Sequence, residues 1–203
     1  MTDRSAIGVL ISGRGSNLQA LIDAVGTGAL RASIRVVISN RPGVQGLERA
    51  AAAGIETLVM PHSDYADRES YDRALVAAIQ SRGVRLVCLA GFMRLLGATF
   101  CGAFPNAVLN IHPSLLPAFP GVDAQEQAHA HGVRVSGATV HFVTPELDAG
   151  PIVAQASVPI EDGDSVSAIA ARILTVEHAI YPSAVDRVLH GRWRVDGRRV
   201  VFD

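Results

Sequence analysis

An asparagine and a histidine stand two residues apart in the segment LNIHPSLLPAFPG. The apolar residues before them predict a strand, and alternate residues of a strand point to the same side. Asn110 and His112 can therefore address one point in space. An amide N–H beside an imidazolium suits the stabilisation of an oxyanion at a carbonyl carbon, and a histidine can also transfer a proton. The alternative is a hydrogen-bonded histidine and an asparagine that simply end a strand.

A carboxylate is expected near His112, because a histidine in this role needs a group that orients the ring and favours its charged form. The candidate is Asp148 in ELDAGPI, between two predicted late strands. The prolines Pro113, Pro117 and Pro120 predict a stiff loop after His112, with one of them in the cis form.

A second candidate site is the glycine-containing segment SGRGSN, which follows the first predicted strand. Gly13 and Gly15 let the backbone approach a ligand closely, and the start of the next helix offers free N–H groups to a phosphate. The dinucleotide pattern fails because Leu18 replaces its third glycine, and no G-K-[ST] of a P-loop follows. A monophosphate fits better. The alternative is a tight turn in which Ser16 or Asn17 caps the helix.

The elements that position these residues alternate between apolar strands and amphipathic helices. Strands are predicted at 6–11, 33–39, 56–60, 84–90 and 106–111, and helices at 16–28, 46–54 and 67–83. Later segments predict antiparallel strands at 135–143 and 151–160, a helix at 165–190 interrupted by Pro182, and a terminal hairpin or tail. The fold class is α/β, a Rossmann-like mostly parallel sheet with helices on both faces and an antiparallel C-terminal strand pair.

Composition and charge limit the classes of partner. The chain has 203 residues and a formal net charge of −1, which predicts no nucleic-acid or membrane partner. The N-terminus lacks the features of a signal peptide, and no apolar run approaches the roughly 18 residues of a membrane span. Cys88 and Cys101 form no C-x-x-C pair and the histidines show no metal-ligand spacing. A cytoplasmic protein without a metal is expected.

Five segments resemble, in this order, those of the phosphoribosylglycinamide formyltransferase family: SGRGSNLQAL, AGFMRLL, LNIHPSLLPAFPG, VHFVTPELDAGPI and TVEHAIYP. The NIHPSLLP segment is shared by a wider group that includes methionyl-tRNA formyltransferase and formyltetrahydrofolate deformylase. The SGRGSNLQAL segment narrows the resemblance to the phosphoribosylglycinamide formyltransferases within that group. The resemblance implies transfer of a formyl group from the co-substrate 10-formyltetrahydrofolate to the amine of 5-phosphoribosylglycinamide in purine biosynthesis. It implies no metal and no covalent intermediate, and we expect a monomer or a homodimer.

The resemblance also implies a role for individual residues. Asn110 and protonated His112 would stabilise the oxyanion, and Asp148 would keep His112 charged. The residues that would bind the ribonucleotide are Gly13, Gly15, Ser16, Asn17 and Glu177, the last through the ribose hydroxyls. The residues that would contact the folate are Arg68, Met93, Arg94, Leu95, Leu96 and Asn110. The chain departs from some relatives at Asp123 and Gln125, in a segment where those relatives carry histidines.

These expectations combine into one predicted domain over residues 1–203. Its N-terminal half, about 1–104, would be Rossmann-like and bind phosphate, and its C-terminal half, about 105–203, would carry the catalytic and folate sites. The alternatives are another folate formyl-group enzyme, such as a formyltetrahydrofolate hydrolase, and a non-catalytic binder of nucleotides or folate.

Overall fold

The computed structural model describes residues 5–203. Residues 1–4, which belong to the predicted domain and to the N-terminus predicted to lack a signal peptide, lie outside the described residues. The strands are β1 (Ala6–Ile11), β2 (Ser33–Ser39), β3 (Thr57–Val59), β4 (Leu86–Leu89), β5 (Val108–His112), β6 (Val135–Phe142), β7 (Ile152–Pro159), β8 (Trp193–Asp196) and β9 (Arg199–Phe202). The α-helices are α1 (Ser16–Thr27), α2 (Gln45–Ala52), α3 (Arg68–Gln80), α4 (Ala98–Ala103), α5 (Ala124–Ala130) and α6 (Val166–His190).

All nine strands of this range join one sheet in the order β3-β2-β1-β4-β5-β6-β7-β9-β8. The first five are parallel, whereas β6 is antiparallel to both β5 and β7. The terminal hairpin extends the sheet, with β9 parallel to β7 and antiparallel to β8. The predicted fold class is confirmed, including its antiparallel C-terminal part.

The central strands are buried on both faces because helices cover both. In β1, Ile7 and Val9 pack into a core that includes side chains of α1 and α6, while Leu10 packs into a second core with side chains of α3 and α4. In β5, Leu109 and Ile111 belong to the first core and Val108 to the second. Since alternate residues share a face, Asn110 and His112 point to the face of α3 and α4.

Three elements differ from the prediction. Helix α4 and a single 3-10 turn at His62–Asp64 were not predicted, since segments of six and three residues are too short to show a helical period. The predicted interruption at Pro182 is wrong, because α6 runs through it. Proline removes one backbone donor, and the buried side chains of Tyr181 and Val185 on either side of it hold the helix against the sheet. Within residues 5–203, no helix is long and apolar enough to cross a membrane.

The hydroxyl of Tyr181 joins α6 to the centre of the sheet. The side chain is fully buried, and its O–H donates to the carbonyl oxygens of Leu89 at 2.9 Å and Leu109 at 3.1 Å. Those residues lie at neighbouring positions of β4 and β5, beside the strand ends that carry the candidate site.

We predict that Tyr181→Phe lowers the free energy of unfolding by about 1–2 kcal/mol, because two buried carbonyls lose their shared donor. Urea unfolding followed by circular dichroism measures the change. The half-buried Tyr65→Phe is the matched control and is expected to change stability less. Equal losses in the two variants would contradict a special role for the Tyr181 hydroxyl.

Candidate functional site

The predicted asparagine, histidine and aspartate meet at the end of β5. His112 is buried, with its Nδ1 3.5 Å from Oδ2 of Asp148 and its Nε2 2.9 Å from the carbonyl oxygen of Phe119. A carbonyl oxygen only accepts, so Nε2 carries a proton and donates it, and Nδ1 faces the carboxylate. Asn110 lies two residues earlier on the same face of the strand.

Asp148 reaches the site from the β6–β7 loop, which folds back across the sheet. Its backbone φ is +48°, in the left-handed region that aspartate tolerates better than most residues. Its Oδ2 accepts the Gly121 N–H at 2.7 Å, so the loop after His112 holds the same carboxylate that faces the ring. In that loop the Leu116–Pro117 peptide bond is cis, as predicted for one of the three prolines.

His141 completes this cluster and was missed as a site residue. It pairs with Asn110 across β5 and β6 and is buried. Its Nδ1 lies 3.0 Å from the Phe142 carbonyl oxygen and donates to it, which leaves Nε2 to accept from Nδ2 of Asn110 at 3.1 Å. Burial is the main cause that lowers the pKa of His141. The hydrogen bond to the Phe142 carbonyl and the Asp148 carboxylate, 3.7 Å from Nε2, only partly offset it. The neutral ring thus orients the Asn110 amide.

A cavity of about 750 Å³ opens over these side chains. Asn110, His112, His141 and Asp148 all line it. The four predicted folate residues of the β4–α4 loop line it as well: Met93, Arg94, Leu95 and Leu96. Arg68 is not among the lining residues; it begins α3 and is exposed. The structure therefore brings the catalytic and loop candidates together, while Arg68 lies outside the lining, near Gly97 at the end of the loop.

Asp72 holds the end of the β4–α4 loop. It is the second residue of the site that the sequence analysis did not identify. Its Oδ2 accepts the Gly97 N–H at 2.7 Å, and the side chain is 1% exposed. Burial raises the pKa of Asp72, and the hydrogen bond from Gly97 partly offsets that effect. Nothing in the spacing of DRESYD distinguishes this aspartate from an ordinary helix surface charge.

The glycine segment forms a tight connection between β1 and α1. Gly15 has a φ of +70°, and a Cβ there would lie 2.7 Å from the Cα of Gly46 in α2. The Gly13 carbonyl accepts the Gly46 N–H at 3.1 Å, and the Arg14 carbonyl accepts Nε–H of Arg49 at 3.0 Å. Helix α2 therefore holds the carbonyl groups of this segment. A Cβ on Gly13 would meet no atom within 4 Å.

The start of α1 has no side-chain cap, so the alternative of capping by Ser16 or Asn17 is wrong. Ser16 instead lines a second cleft, of about 860 Å³, between α1 and α6. Nδ2 of Asn17 donates to Oε2 of Glu177 at 2.8 Å, across 160 positions of the chain, and its buried Oδ1 has no partner. Of the predicted ribonucleotide residues, the structure thus brings Asn17 into contact with Glu177, while Ser16 lines the neighbouring cleft.

Between residues 5 and 203, no cluster of three or more histidine, cysteine, aspartate or glutamate side chains is arranged to hold a metal ion. The prediction that no metal takes part stays a prediction.

We predict that Glu177→Gln makes the protein more stable than wild type at pH 8. Burial raises the pKa of Glu177, and the Asn17 hydrogen bond only partly offsets this. A carboxyl with a raised folded pKa contributes its full stability below its unfolded pKa and loses it as pH rises through the folded pKa. The glutamine keeps an acceptor for Asn17 and carries no charge.

Melting temperatures from pH 8 down to pH 5 test this prediction, and the advantage of Glu177→Gln should shrink as the pH falls. Glu146→Gln, at an exposed carboxylate, is the control and should change the melting temperature little at either end. A wild type that is more stable than Glu177→Gln at pH 8 would contradict the argument.

Comparison with known proteins identifies the family. The formyl transferase family model matches residues 5–185. The phosphoribosylglycinamide formyltransferase of Escherichia coli (strain K12) is 48% identical over 190 residues, which cover 94% of this chain and 87% of that protein. The trifunctional purine biosynthetic protein adenosine-3 of Drosophila melanogaster is also 48% identical over 190 residues, 93% of this chain, but the chain spans only 14% of its length.

Solved structures agree with the sequence comparison. The crystal structure of glycinamide ribonucleotide transformylase 1 from Symbiobacterium toebii superposes with a TM-score of 0.95 at 52% identity, covering 97% of this chain and 93% of that one. The phosphoribosylglycinamide formyltransferase from Coxiella burnetii superposes with a TM-score of 0.93 at 41% identity, covering 98% of this chain and 93% of that one. The chain therefore belongs to the formyl transferase family.

Proposed function

We propose that this chain transfers the formyl group of 10-formyltetrahydrofolate to the amine of 5-phosphoribosylglycinamide. The products are N-formylglycinamide ribonucleotide and tetrahydrofolate, and the step belongs to purine biosynthesis. The observation that carries the proposal is the meeting of Asn110, His112 and Asp148 in one cavity, in a chain whose full-length bacterial relatives are named for this reaction.

The proposed chemistry uses side chains alone. The amine nitrogen attacks the formyl carbon, the bond from that carbon to N10 of the folate breaks, and the proton lost by the amine ends on N10. The Asn110 amide and the His112 imidazolium stabilise the negative charge that develops on the formyl oxygen. Asp148 stabilises the imidazolium and assists proton transfer.

The ribonucleotide is assigned to the glycine segment and Glu177. The uncapped N–H groups at the start of α1 are available to a phosphate, and the dipole of the helix favours a negative charge there. Gly13, Gly15, Ser16 and Asn17 form this phosphate site. Glu177 accepts ribose hydroxyls, and the unpartnered Oδ1 of Asn17 beside it provides one more buried acceptor for a ligand donor.

The folate is assigned to the cavity beside the β4–α4 loop. Large apolar side chains are exposed around it, a feature that marks ligand sites: Met93, Leu95, Val122 and Leu147. Arg94, Leu96 and Asn110 line the same cavity. Arg68 is exposed and lies beside Gly97 at the end of the β4–α4 loop, and we assign it to the acidic tail of the folate. The division into an N-terminal phosphate half and a C-terminal catalytic half, the cytoplasmic location and the monomer or homodimer state stay predictions.

A formyl-transfer assay tests the proposal directly. Purified protein receives 10-formyltetrahydrofolate with and without 5-phosphoribosylglycinamide, and the folate absorbance is followed. Turnover that requires the ribonucleotide is the expected result. Turnover without it would indicate a hydrolase that uses water in place of the amine, and binding without any turnover would indicate a non-catalytic binder.

We predict that Asp148→Asn lowers kcat by about 10²-fold or more, because the variant removes the charge that supports the His112 imidazolium during proton transfer. The KM of each substrate should change by less than about threefold, because the amide keeps the shape of the carboxylate. Glu161→Gln, at an exposed carboxylate that lines neither cavity, is the control and should keep kcat. Unchanged kcat in Asp148→Asn would remove the role given to this residue.

We predict that Gly15→Val raises the KM of the ribonucleotide about tenfold or more, since a branched side chain at positive φ is strained by about 1–3 kcal/mol and displaces the segment from α2. The KM of the folate should stay within about twofold of wild type. Gly13→Ala, whose Cβ meets open space, should have the smaller effect on the ribonucleotide. Equal losses for both substrates in Gly15→Val would indicate general unfolding instead.

A further inference from the structure

Ser12 lies between the two proposed substrate sites. It follows the last residue of β1, is the first residue of the glycine segment SGRGSN, and directly precedes the residues 13–17 that are assigned to the ribonucleotide. The side chain is 4% exposed, although it carries a hydroxyl. A buried hydroxyl needs hydrogen-bond partners, and those of Ser12 lie on two other strand ends.

The hydroxyl is the middle of three groups that are joined by two hydrogen bonds. Its oxygen accepts the backbone N–H of Met93 at 2.8 Å, and its own hydrogen is donated to Oδ1 of Asn40 at 2.6 Å. Asn40 is 3% exposed and follows β2, whereas Met93 belongs to the β4–α4 loop that lines the cavity. Bonds in such a chain polarise and strengthen one another in a buried environment.

The β4–α4 loop packs Phe92 and Leu96 into the second core, but the side chains between them are exposed, so the Ser12 bond is what holds the Met93 backbone. Met93 is 64% exposed and Leu95 is 55% exposed, so neither contributes much buried apolar surface. The backbone of the loop is held at Gly97 by Asp72 and at Met93 by Ser12. Of these two anchors, Ser12 is the one that belongs to the glycine segment.

We propose that Ser12 is a positioning residue that couples ribonucleotide binding to folate binding. A ribonucleotide phosphate that fixes residues 13–17 also fixes the adjacent Ser12, which holds the Met93 amide where the folate cavity needs it. By linkage, bound folate favours the ribonucleotide by the same factor. This inference rests on the proposed function, because it takes the two ligands from that reaction.

Calorimetric binding of tetrahydrofolate, with and without saturating 5-phosphoribosylglycinamide, tests the coupling without turnover. In wild type we expect the ribonucleotide to tighten folate binding about fivefold, at the low end of typical couplings between sites. In Ser12→Ala the coupling should fall below about twofold, while each ligand still binds alone. In steady state, Ser12→Ala should raise the KM of the formyl folate more than it lowers kcat.

Ser136→Ala is the matched control, because Ser136 is also a buried serine but its hydroxyl has no hydrogen-bond partner. It should leave the coupling at the wild-type value. Asn40→Ala is a second test if Ser12→Ala does not fold. It removes the acceptor that orients the Ser12 hydroxyl and changes no residue of 13–17 or of the β4–α4 loop. It should reduce the coupling as well.

Three results would overturn the inference. Wild-type protein that turns over both substrates but shows no coupling would refute it and leave the proposed function intact. Equal coupling in wild type and the folded variant, Ser12→Ala or Asn40→Ala, would do the same. Wild type that binds neither ligand would instead refute the proposed function, and the inference with it.

Discussion

The buried carboxylate of Asp148 is the interaction on which the arrangement of the site depends. Its side chain is 9% exposed, so its charge needs partners inside the protein. The Gly121 N–H supplies one, and the two histidines of β5 and β6 approach it from either side at 3.5 Å and 3.7 Å. The carboxylate finds these partners only when β5 and β6 are paired and the loops that follow the two strands are folded.

The two histidines around this carboxylate are not equivalent. Burial lowers the pKa of His141, and its two ring nitrogens are occupied by the Phe142 carbonyl and the Asn110 amide. A neutral His141 leaves the negative charge of Asp148 for His112. The same hydrogen bonds set the direction of the Asn110 amide, so one buried cluster fixes both groups to which we assign oxyanion stabilisation.

Much of the fold could be predicted because its strands are apolar on both faces. The run AIGVLI is buried along its whole length, and the alternation of strands and helices leads directly to a parallel sheet. Local spacing also predicted that Asn110 and His112 act together, since residues two positions apart in a strand point to the same face. Helix α4, with the sequence ATFCGA, offers no such signal, because six residues do not complete two turns.

The remaining parts of the site depend on distant contacts that spacing does not encode. Asn17 and Glu177 meet only because α1 and α6 pack side by side, and Asp72 contacts Gly97 only because the β4–α4 loop returns to α3. His141 is recognisable only from the register of β5 against β6. Asp148 was a candidate from its place between the two late strands, whereas the folate residues were predicted only through the family resemblance. The roles of all of them stay proposals.

The protonation state of the His141 ring tests this account most directly. Long-range ¹H–¹⁵N NMR of the imidazole nitrogens, assigned with His141→Gln, reports which nitrogens carry protons at neutral pH. We expect a neutral His141 with a proton on Nδ1 and none on Nε2. A doubly protonated ring, or a proton on Nε2 alone, would contradict it, because His141 could then neither accept from Asn110 nor leave the Asp148 carboxylate to His112.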